Sequence, residues 1–203
     1  MLRVLRIIAE QVAEHDMDSL QLISDLRSTL EEQIARAQQI RALPAAQLLH
    51  RPAPEQWNTL EVFEHMNLSS GIYLRNLREV FDRKAVKLKF NAVFTPGRLG
   101  AYSVKSMTPR ADGTIPLRMK TLGKFEPRKL DGASSGSIDR FVTMCEGFLA
   151  LLERSEHTDL NAMKVASSLG PIVRFRAGDA FRFPVAHQVR HFHQIERVLR
   201  SAR

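Results

Sequence analysis

Apolar residues recur at intervals of three and four along four long stretches, the spacing that gathers side chains on one face of an α-helix. The first stretch predicts a helix from about Ser19 to Arg41, with Ile23, Leu26, Leu30, Ile34, Ala37 and Ile40 on its apolar face. Asp18 or Ser19 can cap its start, since a short side-chain oxygen accepts from the unpaired amides of the first turn, and Pro44 stops it. Ahead of it, Leu2 to Val12 reads either as a short separate amphipathic helix or as an extension. Residues 1–17 are therefore set apart from a helical domain spanning residues 18–203.

The second predicted helix starts near Asn58 or Thr59 and continues to about Arg83. Asn58 with Glu61 three residues on has the form of a capping box. One apolar stripe holds Leu60, Phe63, Leu74, Leu77 and Phe81, a second Met66, Tyr73 and Val80, and a third His65, Leu68 and Ile72. A helix apolar on most sides is buried in a bundle or at a subunit contact, which turns His65 inward. The third helix runs from about Ser137 to Ser155 through Phe141, Met144, Cys145, Phe148, Leu151 and Leu152. The fourth begins between Asp179 and Pro184 and ends near Arg200, with Val185, Val189, Phe192, Ile195 and Leu199 on its apolar arc. Proline is easiest to place in a first turn, where its missing N–H costs nothing, so the regular helix is expected to begin at Pro184.

The connection from Lys84 to Gly136 far exceeds an ordinary helix–helix loop, so it contains local structure or crosses the bundle. Its turn signals are Thr95-Pro96-Gly97, Asp112-Gly113 and Asp131-Gly132. A crossover of that length lets the second and third helices run parallel, and the expected fold is an all-α four-helix bundle.

Composition narrows the setting. No apolar run is long enough to cross a membrane, and the N-terminal stretch lacks the apolar block and cleavage site of a signal peptide, so a cytoplasmic domain is expected. One cysteine, Cys145, excludes an internal disulfide framework and any multi-cysteine zinc site. The net charge of +8 is unevenly spread: residues 82–129 carry 12 Lys/Arg against 3 Asp/Glu, and residues 174–203 carry 7 against 2. A basic surface of that kind attracts phosphates or acidic small molecules. Few aromatics interleave the lysines of the connector and no nucleic-acid-binding motif is present, which argues against specific nucleic-acid binding.

Among seven histidines the informative pair is His187 and His191, one helical turn apart on a stripe that continues to Gln194 and Val198. That spacing makes a two-histidine metal clamp, and it is equally met by two half-buried histidines bonded to backbone or to Glu and Gln. His65 on an inward stripe of another helix completes a set of three, and bundle cores build metal sites from facing helices in this way. Three neutral imidazoles leave coordination positions open for water or substrate. His193, with Arg190, Arg197 and Arg200, falls on the other side and reads as a surface histidine. Gln194 either holds a ligand or satisfies a polar neighbour. Glu61 either orients His65 from one turn away or serves the cap of its own helix, and the cap is the simpler account. Trp57 packs the start of the second helix. Cys145 reads as a small buried hydrophobe, its use as a nucleophile with a histidine being the sharper alternative. Tyr102 lies where it can face a ligand.

The segment Trp57-Asn58-Thr59-Leu60-Glu61-Val62-Phe63-Glu64-His65-Met66 resembles a signature of the DinB/YfiT-like superfamily. His187-x-x-Arg190-His191-x-x-Gln194-Ile195 resembles that superfamily's last-helix motif, and Phe125-Glu126-Pro127 an element of one subgroup. The resemblance runs from about Asp18 to Arg200. It implies a four-helix bundle of up-down-down-up topology, often a homodimer, with His65, His187 and His191 around a divalent metal. Nickel and zinc head the candidate ions, and iron and manganese also suit three histidines. Some relatives transfer a low-molecular-weight thiol to an electrophilic small molecule, the metal stabilising the deprotonated sulfur. On that reading Lys120, Lys124, Arg128 and Lys129 can attract a carboxylate-bearing thiol, although a solvated loop surface is the simpler account of those charges. The alternatives are a non-catalytic, stress-related binding protein and a dimeric scaffold that keeps the bundle.

Overall fold

A computed structural model describes residues 15–110, 114, 121–129 and 133–202. The segment Leu2–Val12 lies outside the described residues, as do Asp112-Gly113, Asp131-Gly132 and Lys120. The elements in chain order are β1 (Met17–Asp18), α1 (Ser19–Arg41), α2 (Ala45–Leu49), α3 (Thr59–Lys84), β2 (Val93–Phe94), α4 (Arg98–Met107), α5 (Gly136–Ser155), β3 (Lys164–Ser167), β4 (Gly170–Arg176) and α6 (Ala177–Ser201). Short 3-10 turns occupy Ala85–Lys87, Gly123–Phe125 and Pro127–Lys129.

The fold is mostly helical, and its four long helices are those that the apolar spacing marks. Helix α1 packs on α5 and α6, and α3 packs on the same two, so the four close around one core. Phe63 of α3, Phe141 of α5 and Phe192 of α6 meet edge-on at its centre, with ring centroids 5.2 to 5.9 Å apart. Each such side chain, when fully enclosed, contributes about 1.5–3 kcal/mol of burial. The caps also fall where the sequence puts them. Asp18 Oδ1 accepts from the Gln21 N–H at 2.8 Å. Asn58 Oδ1 accepts from the Glu61 N–H, and Glu61 Oε2 from the Asn58 N–H, both at 2.9 Å.

Two features depart from the sequence expectation, and the long connector meets one. Helix α6 begins at Ala177, so Pro184 stands inside it and leaves the Ala180 carbonyl without its helical donor. The turns ahead of the proline are held by tertiary contacts instead. The Ala177 N–H donates to the Leu160 and Met163 carbonyls, both at 3.0 Å. Fully buried Asp179 accepts from the Gly97 N–H at 2.7 Å and from Arg182 at 3.2 Å.

The long connector, as its length requires, contains local structure: α4 lies along α6, with Gly97 at its N-cap. Met17 and Asp18 pair antiparallel with Phe94 and Val93 just ahead of it, so the fold extends back to include Met17. The second departure is the antiparallel hairpin of β3 and β4, which pairs Lys164 with Arg176 and Val165 with Phe175. Gly170 turns it at a φ of 121°, a conformation that side chains with a Cβ rarely adopt. Among the described residues no helix is long and apolar enough to cross a membrane.

Candidate metal centre

Packing α3 against α6 brings His65 to His187 and His191. The Nε2 atom of His187 lies 3.4 Å from Nε2 of His65 and 3.1 Å from Nε2 of His191. Imidazoles sharing one ion at about 2.0–2.1 Å stand roughly 2.9–3.4 Å apart at octahedral to tetrahedral angles, so the spacing already suits a common ion.

The far side of two rings fixes their tautomers. His65 Nδ1–H donates to the Phe125 carbonyl at 2.8 Å, and His191 Nδ1–H donates to Gln194 Oε1 at 2.9 Å. A carbonyl oxygen only accepts, so both Nε2 atoms carry lone pairs. These converge with Nε2 of His187, where at most one proton is available to be shared among the three. A cation at the focus satisfies all three lone pairs at once. Burial holds all three imidazoles below the usual histidine pKa range, His187 and His191 well below it. Neighbouring imidazoles and the Arg190 guanidinium push His187 and His191 further down, whereas the Phe125 carbonyl partly offsets the fall at His65. Neutral imidazole is the form that ligates.

The surrounding groups hold this arrangement. The Trp57 ring sits 4.9 Å from His65, centroid to centroid, and its Nε1–H donates to Glu126 Oε1 at 3.0 Å, beside Phe125. The Phe183 ring lies nearly parallel to His187, at 14°. Gln194 therefore orients a candidate ligand. Glu61 does not: its carboxylate goes to the Asn58 cap, to Arg51 at 2.5 and 2.6 Å and to Arg128 at 3.6 Å, and none of these contacts involves His65. Cys145 is wholly enclosed in α5, burial pushes its thiol pKa up, and it does not border the cavity, which removes it as a nucleophile.

All three histidines line one cavity of about 390 Å³. Its walls come from α3, α4, the turn before Phe125, the β3–β4 hairpin and α6. The inward neighbours of His65 on α3 are Ser69 and Tyr73, not Leu68 and Ile72, which sit half-buried on the flank. Tyr102 faces the cavity from α4. Arg190 does too, against the expectation that it shares the outer side with His193. The signal was present, because Arg190 follows His187 by three positions and adjoins His191 on the same stripe. The described lysines and arginines of the basic connector do not line the cavity. Lys124 Nζ is spent on the Ser168 carbonyl at 2.6 Å, Arg128 donates to the Gln56 carbonyl at 2.8 Å, and neither side chain nor that of Lys129 lines the cavity.

A helical bundle with three imidazoles converging on the wall of a cavity has the layout of a metal-centred bundle protein. The family profile of the DinB superfamily matches residues 29–195, a span that includes all three histidines, and the chain belongs to that superfamily. No curated protein and no solved structure matches the chain significantly.

Proposed function

We propose that the protein is a metal-dependent transferase that joins a low-molecular-weight thiol to an electrophilic small molecule. The observation that carries this reading is the convergence of three neutral Nε2 donors on the wall of an accessible cavity, which leaves further coordination positions directed at a ligand. Zinc or nickel is the favoured ion, with iron or manganese compatible with the same donors. When bound, a divalent ion supplies positive charge that lowers the pKa of a thiol and favours its thiolate.

The chain's own residues do the rest. The Phe125 carbonyl and Gln194 hold the His65 and His191 rings with Nε2 inward. Phe175 and Phe183 give the cavity apolar walls that limit water around the reacting pair. Tyr73, buried beside Ser168 at 3.3 Å, has its pKa raised by that burial and so keeps its proton as a donor. In the net reaction the thiol proton passes to solvent and the sulfur lone pair forms a bond to an electrophilic carbon. The leaving group departs with the electrons of the bond that breaks.

Metal content measured by plasma mass spectrometry on untagged protein tests the site, alongside His65→Ala and His187→Ala. Near-stoichiometric metal that both variants lose supports it, and a screen of thiols against electrophiles then tests the reaction. Protein that is metal-free as purified and ignores added zinc and nickel would overturn the reading.

A further inference from the structure

We infer that the cavity beside the three histidines receives a small carbonyl compound with a planar apolar body, and that the Ser70 hydroxyl is the donor that holds the carbonyl oxygen. The inference rests on reading this cavity as the ligand site and names the class of electrophile it takes. Several hydroxyls on its wall are already engaged. Ser69 Oγ donates to the His65 carbonyl at 2.7 Å, Ser103 Oγ to the Leu99 carbonyl at 2.8 Å and Ser106 Oγ to the Ser103 carbonyl at 2.7 Å, while Tyr73 and Ser168 pair at 3.3 Å. Ser70 differs: it is only 1% exposed, it borders the cavity, and its hydroxyl finds no hydrogen-bond partner among the described residues. A buried O–H without an acceptor is a cost to the free protein that an acceptor on a ligand relieves. A carbonyl oxygen meets that need best. It accepts without bringing a donor of its own, as a hydroxyl would, and without the charge of a carboxylate, which calls for several donors.

The aromatic side of the cavity describes the rest of the ligand. Tyr73 follows Ser70 by three positions on α3, so both share one face of that helix. Its ring centroid lies 5.2 Å from that of Phe183 and 6.1 Å from that of Phe175, and those two are 5.8 Å apart. All three rings border the cavity, whose volume of about 390 Å³ is that of a small-molecule site. Such a wall favours a flat apolar body that stacks or meets it edge-on. Ser70 stands five residues beyond His65, about 7.5 Å along the helix axis, so a carbonyl held there leaves the adjoining carbons on the side of the histidines.

The probes are 4-phenylbutan-2-one and the hydrocarbon in which a methylene group replaces its carbonyl oxygen. Their affinities are measured by equilibrium dialysis against the full chain, chelator-treated so that no metal competes for the oxygen. A neutral hydrogen bond predicts that Ser70→Ala weakens the ketone by about fivefold or more and the hydrocarbon by less than about twofold. Ser70→Cys, nearly the same size with a weaker donor, should show the same selective loss and serves if the alanine variant does not fold. In urea unfolding of the free protein Ser70→Ala should be at least as stable as wild type, because it removes a polar group that has no partner. No binding of the ketone, or a loss that is equal for the two probes, would overturn the inference. Zinc stoichiometry measured on separate, untreated samples of the same preparations reports on the metal site alone, so a failure of one reading is distinguishable from a failure of the other.

Discussion

The two polar residues flanking the candidate ligands make opposite predictions, although the sequence offers both as supports for a histidine. Gln194 Oε1 accepts the Nδ1 proton of His191 at 2.9 Å and so keeps the Nε2 lone pair of a buried imidazole aimed at its two partners. In Gln194→Leu that proton loses its acceptor, the ring is free to rotate or to change tautomer, and part of the population presents an N–H to the focus. Loss of such an orienting partner costs about 10–100-fold in metal affinity, or about 1.4–2.7 kcal/mol. Glu61→Gln breaks the charged half of the capping box and the pairing with Arg51, whose side chain stays 35% exposed and is screened by water. The expected cost is about 1–2 kcal/mol of folding stability, at the low end for an ion pair with a buried carboxylate. Its zinc affinity should stay within about threefold of wild type, because the carboxylate does not touch His65. Competition with a chromophoric chelator gives the affinities, and urea denaturation of the chelated proteins gives the stabilities. Equal zinc affinity in wild type and Gln194→Leu, or a tenfold loss in Glu61→Gln, would refute the assignment of these two roles.

Two other perturbations follow from the same geometry. A Cβ on Gly100 would lie 2.3 Å from Asp179 Cγ and 2.4 Å from Oδ2, displacing the buried carboxylate that ties α4 to the start of α6. Gly100→Ala is therefore expected to lose about 2–4 kcal/mol in urea unfolding, and a loss under about 0.5 kcal/mol would show that this contact does not clamp the two helices. As for pH, the three histidine pKa values are lowered on folding, so below the unfolded value of about 6.5 the unfolded chain binds more protons. Their contribution to stability is intact above that value and is lost as pH falls towards the folded values. The melting temperature of chelated protein should drop between about pH 6.5 and 5, ahead of ordinary carboxylate titration, and less steeply in His187→Gln. A flat profile for wild type, or the same slope in both proteins, would contradict the burial of neutral imidazoles.

Much of the bundle is legible in the chain because it is written in local terms. Helical periodicity places the four long helices, and Asp18 and the Asn58–Glu61 pair mark two of their starts through hydrogen bonds made within three residues. His187 and His191 are neighbours for the same reason, since a helix puts residues four apart on one face. What joins them to His65 is long-range, and the order of helices around a core is not a periodic signal. Placing these three residues in one centre drew on the resemblance of two separated segments to a known family as well as on their spacing.

The parts that only the tertiary structure decided are those where a distant contact outweighs a local preference. Pro184 argues for a helix start, but buried Asp179 and the amide bonds of Ala177 extend the helix back through it. The connector shows turn residues and charge, while α4 is stabilised by lying along α6 with Gly100 pressed to Asp179. Arg190 is a cation one position from a histidine, and solvent is its usual place; the walls raised by α4 and the β3–β4 hairpin enclose it instead. Glu61 and Gln194 are alike as candidates in sequence, and they separate because Arg51 and Arg128 draw one carboxylate away while no such cation among the described residues engages the amide. Sequence periodicity thus specified the helices and which residues share a face, because those depend on bonds a turn or less away. The cavity, its charge and the orientation of its donors depend on contacts between segments far apart in the chain, and they exist only once those segments pack.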